Sequence, residues 1–292
     1  MIQDDMTEYI YRPITSGADF RDCFEALTRR YRRVIPTAID NIAGQTVGTI
    51  LRQAREAKMT IEELHIERVE YDQYIADAGY DRWYPEYYSF NRFEKRLEHF
   101  VALRLLEVSS RDIFIDVAAE NSPVYEIYQR LTGARTFCQD IMYPKGVNGR
   151  RIGGDATAMP IGQGFASKAA LTCSLEHFEE DSDIRLFHEL HRILVPGGKV
   201  CVVPFYLYVE DAIQTDPTVS GPLELSFDPT LPIYCAEGWG NRFGRFYSPA
   251  GFMSRIFSPL RAMFEFKFYH FPDVSSIDQS IYLRFAFTAT RI

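Results

Sequence analysis

Ile113-Phe114-Ile115-Asp116-Val117-Ala118-Ala119-Glu120-Asn121-Ser122-Pro123 is the stretch on which the fold turns. Its first five residues form a short apolar, β-branched run, which predicts a buried strand. Ser122 at an N-cap, Pro123 at the first helical position and Gly133 near the end then bracket a helix running to Leu131. A β–loop–α unit is the consequence. Downstream, Ala169 to Cys173 reads as a second buried strand, Asp183 to Leu194 as a helix, Pro196-Gly197-Gly198 as a turn and Lys199 to Val203 as a third strand. Strands alternating with helices predict an α/β protein with a doubly wound, mainly parallel sheet.

Upstream, residues 1 to about 85 show helical spacing and no strand-like alternation. Phe20, Phe24, Leu27 and Tyr31 make one stripe, and Ile61, Leu64 and Val69 mark another after a cap at Thr60. The aromatic break Trp83-Tyr84-Pro85-Glu86-Tyr87-Tyr88 precedes a helix from Asn91 to Glu107 with Phe93, Leu97, Phe100, Leu103 and Leu106 facing the core. The expected organisation is an α-helical extension over 1–88 and a second domain over 89–292. Within the latter, 204–245 is rich in Pro, Gly, Tyr and acidic residues and has no clear period, which suggests a lid. Beyond it, Pro249 to Phe257 reads as a helix, and Met263 to Phe271 and Ile281 to Thr288 as strands.

The 292 residues are 46% hydrophobic and 25% charged, a globular composition. Lys plus Arg number 32 against 40 acidic residues, a net charge of −8 that argues against nucleic acid as partner. The local exception, Arg29-Arg30-Tyr31-Arg32-Arg33, reads as a solvated face balanced by Asp19, Asp22 and Glu25. Five scattered cysteines predict reduced thiols and a cytoplasmic location. The first residues lack the pattern of a secretory signal. No membrane span is expected, because the apolar run from Val200 to Val209 is broken by Pro204 and falls short of the roughly 20 residues required.

In an open α/β sheet the ligand lies at the carboxyl ends of the strands. The loop Ala118-Ala119-Glu120-Asn121-Ser122 stands there, followed by a helix N-terminus whose free N–H groups suit a carboxylate. Asp140, after a short strand from Arg135 to Cys138, falls where an acidic side chain can accept both hydroxyls of a ribose. Asp155, in Gly154-Asp155-Ala156-Thr157-Ala158-Met159-Pro160, closes a third strand and can accept from an exocyclic amine.

With Ser174-Leu175-Glu176-His177-Phe178 and then Leu190-His191-Arg192-Ile193-Leu194-Val195-Pro196-Gly197-Gly198-Lys199 in that order, the chain resembles the class I S-adenosylmethionine (SAM)-dependent methyltransferases, in particular their small-molecule branch. The resemblance spans about residues 91–203. It implies a Rossmann-like, seven-stranded sheet and SAM as cofactor. It places the methionine part on Asp116, Ala118, Ala119, Glu120 and Ser122, the ribose on Asp140, the adenine on Asp155, Ala156 and Thr157, and Ser174 at the end of strand four. The family's Asp-x-Gly-x-Gly-x-Gly reads here Asp116-Val117-Ala118-Ala119-Glu120-Asn121-Ser122, so all three glycines are absent. Glu120 requires a backbone that avoids the glycine-only conformations. The interval from Asp140 to Asp155 is short, so the usual intervening helix is expected to be missing or a single turn.

Methyl transfer from a sulfonium needs aligned partners and excluded water, with a base only where the acceptor loses a proton. His177 is the first candidate for that base and Glu176 the second. His65, His99, His188 and His191 read as packing or surface residues, His270 as a residue at a sheet edge, and no metal is expected. Tyr206, Tyr208, Trp239, Phe243, Phe246 and Tyr247, with Tyr84, Tyr87 and Tyr88, could wall a site for a ring or sugar. Glu210, Asp211, Glu224, Asp228 and Glu237 argue against an anionic acceptor. The expected activity is methylation of a small-molecule or saccharide acceptor, at oxygen. The alternative is a non-catalytic methyltransferase-like module used for binding or assembly, and the helical extension is the expected route to a homo-oligomer. A nicotinamide oxidoreductase is disfavoured, since no Gly-x-Gly-x-x-Gly follows the first strand.

Overall fold

The computed structural model describes residues 19–87, 91–219 and 225–292. The strands, in chain order, are β1 (Val34–Ile35), β2 (Ile61–Glu63), β3 (Ile113–Val117), β4 (Arg135–Asp140), β5 (Gly146–Asn148), β6 (Arg151–Gly153), β7 (Ala166–Thr172), β8 (Leu194–Val203), β9 (Ala212–Thr215), β10 (Ile233–Cys235), β11 (Gly244–Phe246), β12 (Phe264–His270) and β13 (Phe285–Arg291). They belong to two compact units. The larger comprises Thr60–Leu175, Ile184–Phe205 and Phe257–Ile292. The smaller comprises the described residues through Met59, with Glu176–Asp183 and Tyr206–Ile256.

Nine strands of the larger unit form one sheet in the order β2-β12-β13-β8-β7-β3-β4-β6-β5. From β8 through β7, β3 and β4 to β6 every pairing is parallel, while β13 enters antiparallel between β8 and β12. The run from β12 to β6 supplies the seven expected strands, and β2 and β5 extend its two edges. Apolar residues on both sides of the pleat explain why the sheet is covered twice. Ala286, Cys201 and Val203 join a core with Tyr74, Leu97, Phe100, Val101 and Tyr128 from helices Arg68–Ala78, Arg92–Leu106 and Val124–Thr132. On the opposite face Phe287 and Phe264 lie about the ring of Phe187 from helix Ser182–Ile193.

The structure departs from the sequence pattern at several points. Ile61 and Leu64 do not begin a helix, because Ile61–Glu63 pairs parallel with Phe268–His270 and the helix starts at Arg68. The region before residue 85 therefore contains strands, and residues 60–87 pack with the large sheet, so the compact units do not divide at 88. Between Asp140 and Asp155 the usual helix is missing, one of the two outcomes the short interval allowed, and a hairpin, β5 with β6, fills the interval. Pro196-Gly197-Gly198 lies within β8, where the pairing with β7 slips between Ala166 and Lys168. The helix read from Pro249 to Phe257 is α-helical to Phe252 and continues as a wider π turn. No helix among the described residues is long and apolar enough to cross a membrane.

In the smaller unit the stretch read as an irregular lid contributes three strands, in a sheet ordered β1-β10-β9-β11. Its core gathers Leu27 of helix Phe20–Arg30 and Tyr31, which caps that helix, with Ile213, Phe227, Ile233 and Phe243. Arg29, Arg30, Arg32 and Arg33 are exposed, and Arg33 makes a two-pronged contact with Glu210 at 3.0 and 3.1 Å.

Candidate active site

The strand–loop–helix beginning at Ile113 carries a nearly continuous apolar run, so β3 is buried, and Asp116 is buried with it at 0% exposure. Neither Asp116 oxygen has a hydrogen-bond partner of regular geometry. Burial lifts its pKa from 3.8 to about 7, against the opposing pull of the Ser122 hydroxyl and the Lys95 ammonium; Asp140 and Glu98 add to the rise.

After β3 the backbone turns through two left-handed residues, Ala118 at φ 52° and Glu120 at φ 50°. This region is open to L-residues at a cost of about 1–2 kcal/mol each, and it is not glycine-only. The turn is tied down from the next strand. The Ala118 N–H donates to Gln139 Oε1 at 3.1 Å, the Ala119 N–H to the Gln139 carbonyl at 2.9 Å and the Glu120 N–H to Asp140 Oδ2 at 2.7 Å. The Tyr143 hydroxyl donates to the Glu120 carbonyl. The Glu120 side chain is exposed, so water screens its charge. Ser122 is buried and its Oγ accepts the Val124 N–H at 3.3 Å, while the helix starts at Val124.

Asp140 is 7% exposed and accepts on both oxygens, the second bond coming from the Met142 N–H at 2.9 Å. Each carboxylate oxygen retains a further lone pair. Asp155 is exposed and accepts the Thr157 N–H at 2.8 Å, with Ala156 buried beside it. Gln139, not singled out in the sequence, spans these elements: its Nε2 donates to the Gly154 carbonyl at 2.6 Å. Ser174, at the end of β7, donates to the Val117 carbonyl at 3.4 Å. Asp116, Ala118, Ala119, Glu120, Ser122, Asp140, Asp155, Ala156, Thr157 and Ser174 thus share the carboxyl ends of β3, β4, β6 and β7 in the larger unit.

The sequence reading also passed over a polar cluster on helix Arg92–Leu106. Glu94, Arg96, Glu98 and His99 are buried with Leu97 and Phe100, so this helix is enclosed on nearly all sides. Lys95 Nζ donates to Glu98 Oε2 at 3.0 Å, and Cys173 Sγ lies 3.4 Å from Glu98 Oε1 and from the Tyr282 hydroxyl. Glu94 Oε2 accepts the Tyr282 and Leu283 N–H groups at 2.8 and 3.2 Å. Burial lifts the carboxyls of Glu94 and Glu98 above their ordinary pKa, with Glu98 adding to the rise at Glu94 and Lys95 pulling both back down. Burial opposes the Lys95 charge, but Cys173, Glu98 and Tyr87 outweigh it and hold its pKa well above the usual value. Charged residues at this spacing read as a solvated face, which is why the pattern hid them.

Glu176 and His177 belong to the smaller unit. His177 Nδ1 lies 2.6 Å from the Phe243 carbonyl, which can only accept, so this nitrogen carries the hydrogen. Nε2 is 3.5 Å from Glu176 Oε1, and the ring stands 6.1 Å from that of Trp239. The aromatic wall divides. Phe243, Phe246 and Tyr247 are buried in that unit's packing, whereas Tyr206, Tyr208 and Trp239 are half-buried. Tyr84 and Tyr87 are half-buried in the larger unit; Tyr88 and Glu224 lie outside the described residues.

No protein-family profile and no curated protein matches this chain. Among solved structures it is similar to the 1,6-didemethyltoxoflavin-N1-methyltransferase of Burkholderia thailandensis, with 13% identity, 79% of this chain and 93% of that one covered, and a TM-score of 0.46. It is also similar to an S-adenosylmethionine-dependent methyltransferase of Mesorhizobium loti, at 13% identity, 66% and 98% coverage and TM-score 0.41. A third is the geranyl diphosphate C-methyltransferase of Streptomyces coelicolor, at 11% identity, 84% and 98% coverage and TM-score 0.40.

Proposed function

We propose that the larger unit binds SAM and that the protein is a SAM-dependent methyltransferase for a small-molecule acceptor. Asp116 carries this reading: a fully buried carboxylate with two unpartnered oxygens at the carboxyl end of a central strand. Buried polar atoms without partners are rare in folded proteins and point to a missing ligand. The surrounding donor set fits this cofactor. Asp140 has lone pairs left for ribose hydroxyls, Asp155 is exposed to an exocyclic amine, and the small side chain of Ala118 on the left-handed turn leaves room for the methionine part. SAM when bound supplies an electrophilic methyl group on a sulfonium.

The finer reading is an oxygen acceptor, on a small molecule or saccharide, with His177 as the base. A hydrogen on Nδ1 leaves the Nε2 lone pair of the neutral ring to take a proton, and Glu176 beside it stabilises the imidazolium so formed. Tyr206, Tyr208 and Trp239 keep exposed ring surface for a flat or sugar ring. Titration calorimetry of the full chain with SAM and S-adenosylhomocysteine tests the cofactor. Asp155→Asn is expected to weaken both by about 1–3 kcal/mol. A folded chain that binds neither compound would sink the reading.

A further inference from the structure

At the start of β11 two consecutive residues of the smaller unit position two rings. The Phe243 carbonyl takes the hydrogen of His177 Nδ1, and Gly244 beside it stands against Trp239. A Cβ on Gly244 would meet the indole Cη2 at 2.5 Å, with Cζ2 and Cζ3 at 3.3 and 3.5 Å. The nearest atom is the tip of the benzo ring, so the indole abuts the strand by its edge and not by its face. The Gly244 backbone is not left-handed, so glycine stands there for the close approach and not for its conformational freedom. The turn that carries the indole is fixed from elsewhere. The Trp239 N–H donates to the Ala236 carbonyl at 3.2 Å, and the Gly240 N–H to the buried Asp216 carboxylate at 3.1 Å. Backbone thus sets both rings, whose centroids lie 6.1 Å apart with planes inclined at 38°. The His177 side chain stays 37% exposed and Trp239 is half-buried, so a molecule can reach them.

A pre-set aromatic ring next to the Nε2 lone pair matches a flat ring that bears a hydroxyl, since the ring stacks and the hydroxyl donates. A saccharide carries hydroxyls around its whole edge, and those that find no partner on burial lose their water without return. Glu176 Oε1, 3.5 Å from Nε2, repels a negatively charged acceptor. We propose that Trp239 and His177 seat a neutral aromatic hydroxyl compound, and that Gly244 is the positioning residue that sets how deep the indole sits beside His177. That the seated compound is the methyl acceptor rests on the methyltransferase reading; the seat itself is built within the smaller unit alone.

The chain has two tryptophans, so Trp83→Phe leaves Trp239 as the sole indole emitter. An imidazolium quenches a neighbouring indole far more than a neutral imidazole does, so emission is expected to fall between pH 8 and pH 5, and His177→Gln to abolish the change. Gly244→Ala in the same background pushes the indole outward and is expected to cut the change by at least half, whereas a glycine needed for packing alone would leave it as it is. Calorimetric titration of the full chain with 4-hydroxybenzamide and 2-naphthol then reads the seat. The native chain is expected to bind at least one of them about tenfold more tightly than 4-hydroxybenzoate or methyl β-glucoside, and Gly244→Ala to lose about tenfold. Gly244→Ala/Trp239→Phe, whose shorter ring clears the new methyl, is expected to recover most of that loss. Preference for the sugar or the carboxylate, binding of neither neutral aromatic compound, or unchanged affinity in a folded Gly244→Ala chain overturns the proposal. A chain that seats the aromatic compound but binds neither SAM nor S-adenosylhomocysteine keeps the seat and loses the methyltransferase reading. Should Gly244→Ala fail to fold, Trp239→Leu removes the flat ring with Gly244 untouched and is expected to show the same loss.

Discussion

Asp116 holds its proton far above the ordinary range, and that has a measurable sign. Between 3.8 and about 7 the native chain keeps a proton that the unfolded chain has lost, so this residue's contribution to stability falls as pH rises through that window. Asp116→Asn removes the ionisation and keeps the shape. Without ligand, the variant is expected to match the native chain near pH 4 and to melt several degrees higher at pH 8. The slope cannot exceed about 1.4 kcal/mol per pH unit, and each kcal/mol moves Tm by about 2–4 °C in a chain of this size. Melting curves at both pH values check it, and a Tm difference that does not change with pH would refute the burial argument. The type and place of Asp116 were legible in the sequence because they depend on one short apolar run. Its lack of partners was not, since that depends on where the side chains of Ser122, Lys95 and Glu98 come to lie.

The turn after β3 shows how an element can keep a backbone course without the residues that usually provide it. Ala118 and Glu120 occupy left-handed φ values, while Ala119 between them does not. Glu120→Gly relieves about 1–2 kcal/mol of strain and loosens the unfolded chain by roughly 0.5–1 kcal/mol, so stability should hold or rise slightly. Ala119→Gly has only the second effect and loses a buried methyl, so its Tm should fall below that of the native chain. The reverse order, read by calorimetry, would show that the left-handed turn is not strained. Gly153 of β6 is a different case, because a Cβ there would stand 2.0 Å from the Pro144 carbonyl oxygen and 2.6 Å from that of Tyr143. Gly153→Ala must displace backbone and is expected to destabilise by about 1–3 kcal/mol, with unfolding in denaturant as the check. β3, β7, β8 and the helix after Ser122 were readable because each carries its own period or caps. β1, β2, β5 and β10 have two or three residues apiece and exist through pairing, in the case of β1 with Ile233 and Tyr234, so local pattern could not reveal them.

Across the chain as a whole, proximity in sequence and membership of a unit part company. Glu176–Asp183 directly follows β7 of the large sheet, yet it is bound into the smaller unit by contacts with residues more than sixty positions later. Glu179 pairs with Arg242 at 2.7 Å, and the Glu180 carbonyl accepts from Arg245. Asp183, at 0% exposure, takes the Tyr247 hydroxyl at 2.7 Å and two Arg255 donors at 2.8 and 2.7 Å, with Arg245 at 3.7 Å. None of these pairings has a signature in the sequence, where Asp183 reads only as the acidic first turn of a helix. A carboxylate shared by two guanidinium groups in a buried place is worth little as a net pair but much as a keystone, because removing it strands the charges around it. Asp183→Ala should therefore lose about 3–5 kcal/mol, lowering Tm on the order of 10 °C at 2–4 °C per kcal/mol. Asp183→Asn, which keeps acceptor geometry for Tyr247, should fall between it and the native chain. Arg255→Met should be milder still, since Arg245 and Tyr247 remain with the carboxylate. Calorimetry of the three variants gives the order directly, and an Asp183→Ala protein within about 1 kcal/mol of native would mean that this segment is held by its backbone contacts alone, such as His177 to the Phe243 carbonyl.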